Sequence, residues 1–273
     1  MQNYDKYILS TGTHWIANSG KDENGAYKGG QAGDQSGHEW ELKAWYNRPW
    51  TVILRWPDIQ VGLLIARLGC AAALNNRIGY DQNQRTTYWK QLQAADYDPS
   101  KITVPCEEDC TAGVTANCKA AGCLMDIPGL EELPVSVYSG SMKSLFVKAG
   151  FKALTASKYL TGPNYLLPGD ILLYEGHHAA TNVTYGKNVR PDKVPDSADA
   201  PQTPQIAGPR VVVTGDRVNV RCGPSTDYAV MGVTDKGDAL RYFGFKYPEN
   251  GWYLVEYDHA TGWISGKYAK EAE

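Results

Sequence analysis

With 273 residues, 42% of them hydrophobic, the chain is long enough to fold around one large core or two smaller ones. Its formal charge of −3, from 27 basic and 30 acidic residues, offers no general attraction to phosphate backbones, so nucleic acid is not an expected partner. The 18 Tyr and 8 Trp against 4 Phe favour aromatic surfaces that bind sugars or peptides, or aromatic packing at the edges of β-structure.

The first residues lack the basic start and apolar core of an export signal, so we expect synthesis in the cytoplasm. The most apolar stretch, residues 61–74, is too short to span a bilayer and contains Arg67, which predicts a buried helix and no membrane insertion. Six cysteines without an export signal favour free thiols over a disulfide framework.

Apolar spacing predicts helices in the front half of the chain, over residues 39–46, 58–75 and 86–96. Asp109 is a good N-cap for a further helix over 110–124, and another is predicted over 139–150. Two strands follow, over 170–174 and 178–185, separated by a Glu-Gly turn. Helices followed by strands indicate an α+β fold.

Five prolines between Lys187 and Pro209 predict an extended linker. Beyond it, five short alternating segments predict a small β-barrel: residues 210–214, 216–221, 239–245, 251–257 and 262–265. We therefore expect a first domain over 1–190, a linker over 191–209 and a second domain over 210–273.

Cys110 would lie in the first turn of its helix, where the dipole and unpaired N–H groups favour thiolate. Asp109 opposes this, so a histidine, His177 or His178, must help to activate the thiol. The alternative is a set of buried structural thiols. Zinc is disfavoured because the C-x3-C-x7-C-x4-C spacing spreads the cysteines around one helix, and Asp22-Glu-Asn-Gly lacks the further acidic ligands of a calcium loop.

The run Glu108-Asp-Cys-Thr-Ala-Gly-Val114 resembles the Asp-Cys-Ser-Gly-Leu signature of NlpC/P60 cysteine peptidases. The run Leu167-Pro-Gly-Asp-Ile-Leu-Leu-Tyr-Glu-Gly-His-His178 resembles their Pro-Gly-Asp strand that leads into the catalytic histidine. The resemblance implies a papain-like fold that cleaves amide bonds in the peptide stems of bacterial cell walls. It implies Cys110 as nucleophile and His178 as base, because small strand residues follow His178, with His177 as the alternative.

The same resemblance implies further site residues. Tyr80 corresponds to a tyrosine near the family's active site, and Asn188 is the candidate for the third residue that orients the histidine. Apart from the resemblance, the Gly-rich stretch from Ser19 to Glu39 is either a surface loop or a wall of the substrate cleft, in which Asp34 and Glu39 would bind an amine or amide of the stem peptide. His177 would then contact substrate.

The tail runs Val218-Asn-Val-Arg-Cys-Gly-Pro-Ser-Thr226, then Asn250-Gly-Trp-Tyr and Thr261-Gly-Trp-Ile, which resembles a bacterial SH3 domain. Such domains bind cell walls and raise the effective concentration of an attached enzyme. Three aromatic residues are candidate wall contacts, although some can serve the core: Trp252, Tyr253 and Trp263.

Together the parts resemble a bacteriophage endolysin, released through a holin-type membrane hole. The leading hypothesis is a Cys/His peptidoglycan endopeptidase that needs no cofactor or metal, binds peptidoglycan and is expected to be a monomer. One alternative is an N-acetylmuramoyl-L-alanine amidase with the same dyad. Another is a wall-binding protein whose first domain is inactive.

Overall fold

The chain divides into two compact units, Met1–Lys193 and Val194–Glu273. The computed structural model describes residues 4–190, 210–221, 223–226, 228, 230–247, 250–257 and 260–272. The predicted linker at 191–209 lies outside these residues. The first unit is mixed α/β and the second is all-β. None of the described helices combines the length and the apolar character needed to cross a membrane.

Antiparallel pairing builds a six-stranded sheet in the first unit. Its strands are β1 (Trp15–Ser19), β2 (Trp40–Ala44), β3 (Val52–Arg55), β6 (Lys152–Leu154), β7 (Ile171–Tyr174) and β8 (His178–Asn182). Two further strands, β4 (Ile78–Tyr80) and β5 (Cys106–Glu108), form a separate parallel pair. The order in the sheet is β2-β1-β8-β7-β3-β6. Strands from opposite ends of the unit's sequence therefore lie side by side, since β1 pairs with β8.

Seven α-helices connect these strands within the described part of the unit. They are α1 (Asp5–Ile8), α2 (Ile59–Ala73), α3 (Thr87–Ala94), α4 (Cys110–Met125), α5 (Pro128–Glu131), α6 (Ser139–Ala149) and α7 (Ser157–Leu160), with short 3-10 turns at Pro99–Lys101 and Pro163–Tyr165. The helices predicted over 58–75, 86–96, 110–124 and 139–150 are confirmed as α2, α3, α4 and α6.

Both faces of the sheet are buried. On one face α2 and α4 pack against the strands, and α2 comes so close at Gly69 that an added Cβ would lie 3.3 Å from the Cβ of Ala17. On the other face Ile16, Ile53 and Leu172 form a smaller core with Trp50. Burying each of these large side chains contributes about 1.5–3 kcal/mol, so the central strands are held firmly from both sides.

The predicted helix over residues 39–46 is wrong. This segment forms β2, which pairs with β1 so that Trp40 lies opposite Ser19 and Ala44 opposite Trp15. Trp40, Leu42 and Ala44 alternate with polar residues, as in a strand that is buried on one face. The apolar residues of this segment also fit helical spacing, so its sequence is compatible with both structures, and the pairing with β1 decides for the strand. The front half is thus not mainly helical.

The second unit contains a seven-stranded antiparallel sheet among its described residues. Its strands are β9 (Arg210–Val213), β10 (Val218–Arg221), β11 (Val230–Thr234), β12 (Ala239–Lys246), β13 (Tyr253–Tyr257), β14 (Ala260–Ile264) and β15 (Ala269–Glu271). The order is β11-β10-β14-β13-β12-β9-β15. Val211, Val220, Val255 and Ile264 lie at the centre of its core. The five predicted strands are present, and β11 and β15 are additional.

Candidate active site

Cys110 is the first residue of α4, directly after β5 and Asp109. The carboxylate of Asp109 caps this helix, because its Oδ1 accepts the backbone N–H groups of Thr111 at 3.0 Å and Ala112 at 2.8 Å. This is the cap that the sequence predicts. It places the thiol at the end of the helix where the dipole is positive.

His178 begins β8, the strand against which α4 packs. The backbone N–H of Ala179 acts to lower the pKa of the Cys110 thiol, which places the sulfur near the residue that follows the histidine. The imidazole is 6% exposed, and the indole of Trp50 stacks on it with 6.0 Å between ring centres and 27° between ring planes. The fold thus brings Cys110 to the strand that His178 begins, whereas the imidazole stacks with Trp50 on the face of the sheet opposite α4.

Asn18, in β1, is the polar partner of this histidine. Its Oδ1 lies 3.0 Å from His178 Nε2 and also accepts a hydrogen bond from the Tyr46 hydroxyl at 3.1 Å. Because the amide oxygen is an acceptor, Nε2 carries the ring proton and Nδ1 keeps its lone pair. Nδ1 is therefore the ring nitrogen that can take a proton from a thiol.

Asn188, the predicted orienting residue, does not fill this role in the structure. It is exposed beyond the end of β8, and its backbone N–H donates to the carbonyl of Asn164 at 3.0 Å. Asn18 reaches the imidazole from 160 residues earlier in the chain. The signal for Asn18 in the sequence is a polar amide directly after the apolar pair Ile16 and Ala17, but only the pairing of β1 with β8 connects it to the histidine.

Burial keeps both members of the dyad uncharged. Burial, with the neighbouring Asp109 carboxylate adding to it, raises the pKa of Cys110 from 9.0 to about 12. Burial, followed by the charge of Arg48, lowers the pKa of His178 to about 3. The positive end of a helix stabilises a thiolate by only about 0.3–1 kcal/mol, which is less than a tenfold change in acidity. The dipole of α4 therefore does not offset the effect of burial on the pKa of Cys110. The resting pair is a thiol and a neutral imidazole.

Arg85 offsets the charge of Asp109. Its Nε lies 2.7 Å from Asp109 Oδ2, and its Nη2 donates to Asp109 Oδ1 at 2.9 Å. The same guanidinium donates to the carbonyls of Ser136 and Val137, which attaches the loop before α6 to the start of α4. The charge of Arg85 also acts to lower the pKa of Cys110, so it opposes the effect of Asp109 on the thiol. The sequence patterns did not single out this residue.

Tyr80 ends β4 beside the thiol, as the family resemblance implies. It is 2% exposed, and its hydroxyl accepts a hydrogen bond from Gln82 Nε2 at 3.1 Å. Burial, and after it the proximity of Cys110, raises the pKa of Tyr80 well above its usual value. The hydroxyl therefore remains protonated and can act as a hydrogen-bond donor in the site.

Asp34 and Glu39 hold the Gly-rich segment together and are not available to substrate, contrary to the prediction. Asp34 is 6% exposed, and its carboxylate accepts the backbone N–H groups of Gly37 at 2.6 Å and Glu39 at 3.1 Å. Glu39 is 1% exposed and accepts the N–H groups of Gln35 at 2.8 Å and Tyr80 at 3.0 Å. Glu39 thereby connects the segment to β4, so the pair shapes the site indirectly.

His177 lies at the rim of the site. It is exposed and stacks on Tyr174, with 4.2 Å between ring centres and 25° between planes. Its neighbour His178 is the first residue of β8 and is buried against Trp50, whereas His177 lies in the turn before the strand. Within the described part of the chain, no three His, Cys, Asp or Glu residues are arranged to hold a metal ion, and the cysteines at positions 70, 106, 110, 118 and 123 are free thiols.

In the second unit, the three aromatic candidates for wall contact differ in exposure. Trp252 and Tyr253 are 8% and 5% exposed, and Tyr253 packs in the core, so the prediction of wall contact is wrong for these two. Trp263 is half-buried and meets Tyr247 edge to face, at 5.8 Å and 90°. Trp263 keeps its place as the candidate.

Two family models match the chain. The one described as an endolysin-like domain matches residues 16–189, which is more than half of the chain. The chain belongs to the endolysin-like domain family. The model described as a bacterial SH3 domain matches residues 216–270. No curated protein gives a significant match.

The endolysin-like domain contains every residue of the site described above, from Asn18 in β1 to His178 in β8. The SH3 match coincides with most of the strands of the second unit. Together the matches indicate a peptidoglycan hydrolase with a cell-wall-binding SH3 tail.

Proposed function

We propose that the endolysin-like domain is a cysteine hydrolase with a papain-like arrangement of the NlpC/P60 type, which cleaves an amide bond in the peptide stem of peptidoglycan. Cys110 is the nucleophile, His178 the base and Asn18 the residue that orients it. The observation that supports the proposal is the packing of α4, which begins at Cys110, against β8, which begins at His178, with the Asn18 amide oxygen 3.0 Å from the imidazole.

The reaction starts from the neutral pair. As the sulfur attacks the scissile carbonyl carbon, the thiol proton moves to Nδ1 of His178, so thiolate forms only during attack. Asn18 stabilises the imidazolium that results, because its amide oxygen accepts from Nε2. The imidazolium then returns the proton to the departing amine, and a thioester to Cys110 remains.

Hydrogen bonds stabilise the oxyanion of the tetrahedral intermediate. The Asp109 carboxylate occupies the N–H groups of Thr111 and Ala112, so the N–H of Cys110 is the donor that this helix start offers. The Tyr80 hydroxyl lies beside the thiol and supplies a second donor. Water, deprotonated by His178, then attacks the thioester and releases the second product.

The SH3 unit, residues 210–273, holds the enzyme on the insoluble wall, and the linker at 191–209 joins it to the catalytic domain, residues 1–190. Attachment raises the effective concentration of the active site at its substrate without any new contact at the site. Loss of the thiol is therefore expected to abolish lysis and leave wall binding intact.

The test compares Cys110→Ala with Cys123→Ala in the full chain. Both cysteines lie on α4, but only Cys110 is at the dyad, so Cys123→Ala is the matched control. Cys110→Ala should sediment with purified walls as wild type does and fail to reduce their turbidity, whereas Cys123→Ala should lyse normally. Undiminished lysis by Cys110→Ala would overturn the proposal. Masses of the fragments released by wild type distinguish an endopeptidase from an N-acetylmuramoyl-L-alanine amidase.

A further inference from the structure

The loop over residues 45–51, between β2 and β3, forms one side of the dyad. Trp50 stacks on His178, and the hydroxyl of Tyr46 donates to the amide oxygen of Asn18. Arg48 lies between these two aromatic residues in sequence and is half-buried. The loop therefore brings one guanidinium group to the neighbourhood of the catalytic base.

Arg48 has aromatic and hydroxyl contacts, and no acidic partner among the residues that the structure describes. Its Nη1 donates to the Tyr46 hydroxyl at 3.4 Å, and its guanidinium carbon lies 6.0 Å from the centre of the Tyr174 ring. None of the ion pairs within the described ranges includes Arg48. In contrast, Arg55 and Arg85, which are also half-buried, pair with Asp170 and Asp109.

The charge of Arg48 also acts on the imidazole. Burial is the main cause that lowers the pKa of His178, and the positive charge of Arg48 adds to it. Tyr174, which carries the guanidinium above its ring, lies directly opposite His178 in the pairing of β7 with β8. An anion bound by Arg48 would therefore lie beside His178, the proposed base.

A half-desolvated guanidinium gains most from a planar anion that accepts two parallel N–H groups, which is the geometry of a carboxylate. We propose that Arg48 binds a free carboxylate of the substrate peptide next to the scissile amide, between the rings of Tyr46 and Tyr174. The inference rests on the proposed function and narrows its substrate to stems with an acidic residue beside the cleaved bond. Stems whose carboxylate is amidated are poor substrates.

The test uses two soluble stem peptides that are identical except that one has a carboxylate and the other a carboxamide beside the scissile bond. Wild type should prefer the carboxylate peptide in kcat/KM by about 10- to 100-fold, the range of a charge-assisted hydrogen bond. Arg48→Gln should remove most of this preference, mainly through a higher KM for the carboxylate peptide. Arg48→Lys keeps the positive charge but lacks the two parallel N–H donors of the guanidinium, so it should retain part of the preference for the carboxylate peptide.

Lys148→Gln, at an exposed position on α6, makes the same change in net charge and should keep the full preference. Binding of both peptides to full-length Cys110→Ala, measured by calorimetry, gives the same comparison without turnover. Equal losses on both peptides in Arg48→Gln, or no preference in wild type, would overturn the carboxylate site. Cleavage of either peptide by Cys110→Ala would instead overturn the proposed function, so the two failures are distinguishable.

Discussion

His178 Nε2 and Asn18 Oδ1 lie 3.0 Å apart, across two strands that come from opposite ends of the endolysin-like domain. This hydrogen bond sets the tautomer of the imidazole and leaves Nδ1 as its basic nitrogen. The hydroxyl of Tyr46 holds the same amide oxygen, so the orientation of Asn18 is itself determined by the loop after β2.

Removing the Asn18 amide should impair turnover more than binding. In Asn18→Ala the imidazole loses the acceptor that selects its tautomer and stabilises its charged form, and we expect kcat on a soluble stem peptide to fall about 10- to 100-fold with KM within about threefold. Asn18→Asp places a carboxylate beside the ring, which favours imidazolium. The acidic limb of the pH profile of kcat/KM should therefore move to higher pH. An unchanged kcat in Asn18→Ala would show that the hydrogen bond has no role in catalysis.

Arg85→Gln should make the Cys110 thiol less reactive. The substitution leaves the Asp109 carboxylate uncompensated beside the sulfur, so the pKa of Cys110 should rise further and the thiolate fraction at a given pH should fall. The measurement is the rate of alkylation of Cys110 against pH, followed by mass spectrometry; we expect a decrease of about tenfold. Arg85→Lys should recover part of the rate, and Arg77→Gln, at an exposed position, is the control. Equal rates in Arg85→Gln and wild type would contradict the prediction.

Glu107 should make the protein less stable as pH rises. Its pKa is raised from 4.5 to about 7, mainly by burial. The hydrogen bond from the Gly33 backbone acts in the opposite direction and lowers the pKa. Between these pH values the folded state binds a proton that the unfolded chain has lost, so the free energy of unfolding falls as pH rises through this window. Glu107→Gln keeps an acceptor for Gly33 and removes this dependence.

Scanning calorimetry of full-length Glu107→Gln should therefore show the same melting temperature as wild type at pH 4 and a higher one at pH 8. A gain of about 1 kcal/mol corresponds to about 2–4 °C for a domain of this size. Glu132→Gln, at an exposed position, should follow wild type at both pH values. A lower melting temperature of Glu107→Gln at pH 8 would mean that the carboxylate is stabilising.

The two tail tryptophans should respond differently to alanine substitution. Trp263→Ala should weaken the affinity of the full-length protein for purified walls about tenfold, measured by sedimentation. The near-UV circular dichroism spectrum should show that the tail is still folded. Trp252 is 8% exposed, so Trp252→Ala should destabilise the SH3 unit by about 3–5 kcal/mol and lose binding through unfolding. Wild-type sedimentation of Trp263→Ala would remove this residue from the binding surface.

Features that depend on neighbouring residues in the sequence were predictable, and features that depend on contacts between distant segments were not. The cap at Asp109 and the start of α4 at Cys110 follow from local chemistry, since the capping carboxylate needs only the next backbone N–H groups. β2 was mistaken for a helix because its apolar residues fit both periods, and its partner β1 lies more than 20 residues earlier.

Asp34 and Glu39 illustrate the same difference. Their place in a Gly-rich segment suggested an open cleft, but whether a carboxylate faces solvent or backbone depends on how the segment folds back on β4. The sequence by itself determined the helix that begins at Cys110 and the strand that begins at His178, because short-range capping and alternation specify them. Only the tertiary structure decided that Asn18 hydrogen-bonds to His178 and that burial favours the uncharged forms of Cys110 and His178, because strand pairing across 160 residues and burial are properties of the whole fold.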